Sequence, residues 1–191
     1  MRIIAGSARG RRLKTPNDEL TRPTSDRLKE SLFSILTPYL AEAQVLDVFS
    51  GSGAFGLESI SRGAAYATMI ELRPEAAKVI RDNVISCGFA AQTQLIEGDA
   101  LVWLKMLRLP AAVDLIFLDP PYQLEMAEEA VKVIADAKWL KPSTLLIIEH
   151  HKTDALPQQF PVWQRYRQIR QGESVISFYR YESAREAEEL Q

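Results

Sequence analysis

The sequence predicts an α/β fold: a mostly parallel seven-stranded sheet with helices on both faces, ending in an antiparallel hairpin, and preceded by a short N-terminal β-hairpin and helix. Three observations predict it. Between residues 45 and 149, short apolar runs alternate with amphipathic stretches, the rhythm of a parallel sheet with crossover helices. A glycine-rich turn, Gly51-Ser52-Gly53-Ala54-Phe55-Gly56, follows the first of these runs and opens a helix. Two extended segments, 163–169 and 174–181, flank Gln171-Gly172-Glu173 as a hairpin would, and an antiparallel addition to a parallel sheet is common.

The elements follow in order. Arg2 to Ala5 and Arg9 to Lys14 are short extended pieces around Gly6-Ser7-Ala8. A loop with Pro16, Asn17 and Pro23 comes next. Thr24, Ser25 or Asp26 can cap a helix in which Leu28, Leu32, Ile35 or Leu36, and Tyr39 share one face, with Pro38 near its end. Val45 to Phe49 is a strand, and the helix after the glycine turn ends at Gly63. Ala67 to Glu71 is the next strand. Pro74 opens a helix at its favoured first position, with Val79, Ile80, Val84 and Ile85 as the apolar face and Gly88 at the end. Thr93 to Ile96 is a strand, and Asp99 begins a helix through Leu101, Leu104 and Leu107 that Pro110 stops. Leu115 to Leu118 is the fourth strand. Ala127, Val131 and Ile134 mark the following helix, and Leu145 to Glu149 is the fifth strand. The Glu- and Ala-rich last residues read as a frayed helix or a disordered tail. Residues 1–40 thus form a basic N-terminal piece, 41–182 the body and 183–191 a flexible tail.

Composition narrows the class. Hydrophobic residues are 47% and charged residues 25% of 191, as in soluble globular chains. No apolar run reaches the length of a membrane span. No apolar region of a secretory signal follows Met1-Arg2-Ile3-Ile4. The single Cys87 excludes an internal disulfide and suits a reducing cytoplasm, the expected location. The net charge of −2 is unevenly spread: residues 1–30 carry eight cationic and four acidic side chains, +4, leaving −6 for the rest. A basic segment on an acidic body suits a polyanion, the plain alternative being a solvated tail.

The chemistry concentrates at the ends of the predicted strands. Asp119-Pro120-Pro121-Tyr122 follows the fourth. Pro121 keeps Pro120 extended, and neither proline has an N–H, so the Pro120 carbonyl can be left to accept from a ligand. With the Asp119 carboxylate it offers two acceptors beside the flat Tyr122, a match for an exocyclic amine on a planar base. The glycine turn, with Glu71 twenty positions beyond Gly51, satisfies the dinucleotide fingerprint. Nicotinamide, flavin and S-adenosylmethionine enzymes share that pattern. Asp47 inside the first strand can help hold a cationic amino group, and Asp99 after the third strand can accept from an adenine amine. Read structurally, Asp47 is a buried, bonded carboxylate and Asp99 a helix cap.

The sequence resembles class I S-adenosylmethionine-dependent methyltransferases, and more closely the bacterial family that methylates guanine N2 in 16S ribosomal RNA. The stretches that carry this are Met1 to Gly6, Arg9 to Leu13, Arg22-Pro23-Thr24 with Asp26-Arg27 through Phe33, Val45 to Gly53, Leu57 to Ala64, Asp119 to Tyr122, and Gly172-Glu173-Ser174. The last of these departs mildly from the Gly-Asp-Thr frequent in the family. The resemblance implies a Rossmann-like fold and S-adenosylmethionine as cofactor. It implies that Gly51, Ser52 and Gly53 approach the cofactor, with Asp47 and Phe49 at its methionine end. Glu71 would take the ribose hydroxyls, Leu72 and Ala100 would lie against the adenine, and Asp99 would accept from its amine. Asp119, Pro120 and Tyr122 would hold the target guanine. Arg2, Arg9, Arg11, Arg12, Lys14 and Arg22 would hold RNA phosphates, the partner being 16S rRNA, free or within an assembling small ribosomal subunit, and the protein is expected to act as a monomer.

Other features weigh less. His150-His151 resembles a metal pair, but adjacent strand residues point to opposite sides and no metal is expected. Trp103, Trp139 and Trp163 suit the core or helix faces, and Cys87 suits a buried, inert thiol. Arg22 and Thr24 could reach the site from their loop or simply set the helix entry. Rival readings are an enzyme methylating DNA amines or a protein glutamine amide, which the 119–122 cup would also serve, and a nicotinamide oxidoreductase or nonenzymatic nucleotide-binding module, which would leave 119–122 idle.

Overall fold

The structure, a computed structural model, describes residues 1–16, 25–109, 111–120 and 124–182. The strands are β1 Gln44–Val48, β2 Tyr66–Glu71, β3 Thr93–Glu97, β4 Leu115–Leu118, β5 Leu145–His151, β6 Gln159–Phe160, β7 Trp163–Gln171 and β8 Ser174–Tyr181. They form one sheet in the order β3-β2-β1-β4-β5-β8-β7-β6, parallel from β3 to β5 and antiparallel beyond. The helices are α1 Asp26–Leu36, α2 Ala54–Ser61, α3 Pro74–Cys87, α4 Ala100–Met106 and α5 Leu124–Ala135. No helix among the described residues is long and apolar enough to cross a membrane.

The buried strands have apolar residues on both faces, and each face builds a core. On one, Leu32 and Phe33 of α1, Leu57 of α2 and Ile80 of α3 pack on Phe117 and Phe178. Phe55 and Phe117 stack there with centroids 5.1 Å apart, and Phe33 packs tilted against both. On the other, Leu104 of α4 and Val131 and Ile134 of α5 pack on Ile116, Ile148 and Tyr179.

The local signals behave as elementary chemistry requires. Ser25 caps α1, its hydroxyl accepting from Leu28 N at 3.1 Å, a contact whose loss costs about 1 kcal/mol. Pro74 opens α3, and Gly88 ends it in the left-handed region. Three expectations need correction. Tyr39 lies in a 3-10 turn after α1 and is 48% exposed, because the helix ends at Leu36 and the face rotates. Ile85 is exposed on α3, where the small Ala76 and Ala77 extend the buried face beside Ile80 and Val84. Cys87 is only half-buried, and that burial raises its thiol. The sheet also has an eighth strand: Gln159–Phe160 turns at Pro161-Val162 to pair with β7, and two residues are too few to leave a periodic signal.

The N-terminal piece is a minimal hairpin with one antiparallel bridge, Arg2 to Arg12. Ile3 and Leu13 sit in the α1–α3 core. Glu58 of α2, fully buried, anchors the segment: its carboxylate accepts from Ile4 N at 2.8 Å and Ala5 N at 3.1 Å. The same group pairs with the buried Lys29 at 3.2 Å and with Arg62 at 2.8 Å. Burial lowers the Lys29 pKa, against the attraction of Glu58. Removing one partner of such a pair costs about 3–5 kcal/mol, because a buried charge is left alone.

Candidate active site

Register sets the site. Val48 pairs with both Ile70 and Leu118, and Leu118 pairs with Ile148. The carboxyl ends of β2, β1, β4 and β5 are therefore level, and the next rung holds Glu71, Phe49, Asp119 and Glu149. The chain leaves β1 toward β2 on one side and returns to β4 on the other, so a crevice opens between β1 and β4. The glycine turn and Asp119 flank it.

The glycine turn is held from both sides. Phe49 has φ +62, an uncommon value for an aromatic residue, and this ends β1 and swings the turn outward. Ser50 Oγ donates to the Asp47 carbonyl at 2.6 Å and accepts from Ile70 N at 3.1 Å. Gly53 caps α2 with φ +75, and a Cβ there would stand 3.0 Å from Met69 Sδ. A Cβ on Gly51 would meet nothing within 4 Å, so open space lies beside it. Ser52 is buried, its carbonyl accepting from Asn83 Nδ2 at 3.0 Å. Asn83 also accepts from Lys14 N at 2.8 Å, so the N-terminal segment and the glycine turn share one support.

Two carboxylates face the turn. Asp47 is buried beneath it and accepts from Gly56 N at 2.9 Å. Burial, reinforced by the Glu71 charge and opposed by the Gly56 N–H, pushes its carboxyl up to about 8. Glu71 accepts from Gly51 N at 2.8 Å with one oxygen, and from Arg73 N at 2.9 Å with the other. Leu72, next in the chain, is exposed. Asp99 caps α4, accepting from Leu101 N at 2.8 Å and Val102 N at 3.1 Å. Ala100 behind it is buried. Gly98 lets Trp103 pack close: a Cβ there would come 2.4 Å from the indole nitrogen. Trp139 and Trp163 are buried in the core.

Across the crevice, Asp119 and Pro120 are half-buried at the end of β4. Desolvation, then the carboxylates of Glu149 and Asp47, hold the Asp119 carboxyl well above the ordinary range. Strand alternation puts Asp47, Asp119 and Glu149 on the same face of the sheet as Phe117. Tyr122 lies outside the described residues.

Of the predicted phosphate contacts, Arg9, Arg11 and Arg12 are exposed. Arg2 pairs with Asp26 at 3.0 Å and Lys14 with Asp82 at 2.8 Å, both on the surface. Arg22, with Thr24, lies outside the described residues. His150 meets Ser177 Oγ at 2.9 Å and His151 meets Glu173 at 3.1 Å, each engaged separately. Sequence reasoning missed Glu149 as a neighbour of Asp119, and Ser50, Asn83 and Glu58 as supports. Glu149 was open to inference, since the runs 115–118 and 145–148 end in step; Asn83 and Glu58 acquire partners only through tertiary contacts.

The family described as "Conserved hypothetical protein 95" matches residues 1–180. The ribosomal RNA small subunit methyltransferase D of Haemophilus influenzae is 39% identical over 158 residues, 82% of this chain and 81% of the relative. The protein of the same name from Escherichia coli K12 is 34% identical over 188 residues, 98% of this chain and 93% of the relative. The solved structure of yhhF from Escherichia coli aligns with a TM-score of 0.83 at 32% identity, covering 96% of this chain and 98% of that one.

Proposed function

The chain belongs to the family described as conserved hypothetical protein 95, alongside the ribosomal RNA small subunit methyltransferases D, and from this premise we propose its reaction in full. It is a methyltransferase that acts on ribosomal RNA. The methyl donor is S-adenosylmethionine, and the acceptor is the exocyclic N2 amine of a guanine in 16S rRNA, within free RNA or an assembling small subunit. One observation supports this above the rest: the Asp119 carboxyl and the Pro120 carbonyl end β4 level with the glycine turn, across the β1/β4 crevice.

The residues present fit the donor. Open space beside Gly51 leaves room for a ligand at the turn, and the exposed Leu72 offers an apolar plate next to Glu71. The buried Asp47 carboxyl, raised to about 8 chiefly by burial, would give up its proton to meet a cation, which a methionine end supplies. Gly51, Ser52 and Gly53 would bind through backbone, with Asp47 and Phe49 at the methionine end. Glu71 would accept from ribose hydroxyls, Leu72 and Ala100 would contact adenine, and Asp99 would accept from its amine. A carboxylate has about four lone-pair sites, so Asp99 and Glu71 can keep their backbone bonds. When bound, S-adenosylmethionine supplies an electrophilic methyl group on a sulfonium.

The protein's part is to make a poor nucleophile attack. The guanine amine's lone pair is conjugated into the ring. Accepting its two protons at Asp119 and the Pro120 carbonyl holds the nitrogen so that the lone pair faces the donor. Once ionised, the Asp119 carboxylate stabilises the positive charge growing on nitrogen. The raised proton affinity of Asp119 suits its carboxylate to take the amine proton afterwards. Tyr122 would stack on the base once it leaves its neighbours. Incubation with methyl-labelled donor and, in turn, small-subunit rRNA, DNA and protein tests the reading. Label should appear in N2-methylguanosine; label only in DNA bases or glutamine would reject it.

A further inference from the structure

The face of the sheet that carries α1 has a second cluster of exposed functional groups, away from the crevice. Alternation along β7 would put Tyr166 and Arg167 on opposite sides. Instead, Arg165 pairs with Tyr179 and Arg167 with Phe178, so Tyr166 is the extra residue of a bulge. Gln168 keeps to the other side, donating from Nε2 to Ser177 Oγ at 2.8 Å. The bulge therefore re-aims Arg167 onto the side of Phe178, where the Tyr166 ring also lies, 6.2 Å from Phe178. Arg180 shares that side, two residues beyond Phe178 on β8. Tyr39, in the turn after α1, is close enough to perturb the Tyr166 phenol, as are both arginines. Tyr39 and Tyr166 are 48% and 41% exposed, and Arg167 and Arg180 are exposed. Neither arginine forms an ion pair with a carboxylate among the described residues.

We propose that Tyr39, Tyr166, Arg167 and Arg180 form a second RNA-contact surface, which holds a stretch of the substrate flanking the target nucleotide. This rests on the reading of RNA as substrate. Guanidinium forks match phosphate oxygens, and phenol faces stack on bases regardless of sequence. Strand rise and spacing put the cluster about 15 Å from Asp119 along the sheet, a span of a few nucleotides. The cationic N-terminal hairpin docks on α2 and α3 over the same face of the sheet. RNA entering the crevice could thus meet cations at both flanks.

The test compares wild type with an Arg167→Glu/Arg180→Glu pair, an Arg167→Gln/Arg180→Gln pair, Tyr166→Ala and Tyr166→Phe. The probes are an in vitro transcript of small-subunit rRNA and the purified small-subunit particle. Charge reversal should weaken transcript binding about tenfold and flatten the log–log salt slope by about two. The Gln pair should flatten it similarly with a smaller loss. Tyr166→Ala should raise KM for RNA about fivefold with kcat at saturation unchanged, while Tyr166→Phe stays near wild type. Cofactor affinity and thermal unfolding should not move. Unchanged affinity and slope in both arginine pairs would overturn the proposal. So would a loss seen only with the particle, which would assign the surface to a ribosomal protein. Failure of wild type to methylate RNA would count against the proposed function instead, whereas wild-type turnover with indifferent variants counts against this surface alone.

Discussion

Replacing Asp47 by asparagine should change how stability responds to pH. The side chain is 1% exposed and accepts from Gly56 N at 2.9 Å. Its carboxyl sits at about 8 in the folded protein, raised from 3.8 chiefly by burial. Between these values the folded protein keeps a proton that the unfolded chain has released. The contribution is therefore fully present below about pH 4 and is lost as pH rises through about 8. The limiting slope is about 1.4 kcal/mol per pH unit, so wild type should lose about 2–3 kcal/mol relative to Asp47→Asn between pH 5 and 7. At about 2–4 °C per kcal/mol, that is roughly 5–11 °C in Tm. Urea unfolding of both proteins at pH 5, 6, 7 and 8 measures it. Binding of the cationic donor should also release about one more proton near pH 7 in wild type than in the variant, read by calorimetry in two buffers. Parallel stability curves for the two proteins would refute the reasoning.

The other predictions concern the turn and the N-terminal segment. Gly53→Ala forces a side chain into φ +75 and toward Met69 Sδ at 3.0 Å. It should cost about 1–2 kcal/mol, lower Tm by several degrees and raise KM for the donor; an unchanged Tm would argue that the turn relaxes freely. Arg9, Arg11 and Arg12 together changed to Glu should weaken RNA binding and flatten its salt slope by up to about three, while donor affinity stays constant. An unchanged slope would leave those arginines without a role in RNA binding.

Much of the fold was legible because each strand and helix carried its own period and its own punctuation. Pro74, Gly88 and the glycine turn mark boundaries that the structure keeps. The errors came where a local pattern competes with the shape of the whole. Tyr39 and Ile85 fit an apolar helix face by spacing, yet a 3-10 turn and the small Ala76 and Ala77 decide which surface meets the sheet. The β7 bulge left no sequence signal, because it exists only as a register against β8. Asp47, Glu71, Asp99 and Asp119 were expected at or just past the carboxyl ends of the strands, and the structure places them there. What they bond to was not readable: Gly51 N on Glu71 and Gly56 N on Asp47 depend on how the turn closes over the strands. Asp99 is a helix cap, which accounts for one of its oxygens and leaves its role toward adenine to experiment.

The proposed reaction depends on Asp119 at the rim of the β1/β4 crevice. A single-turnover measurement of methyl transfer to small-subunit rRNA, made with wild type and Asp119→Asn at saturating donor and RNA, tests it most directly. Asparagine keeps an acceptor oxygen and removes the charge, so the rate should fall about 10²–10³-fold while donor affinity stays the same. A rate near that of wild type would contradict the account, since no charge at that position would then be supporting the reacting amine.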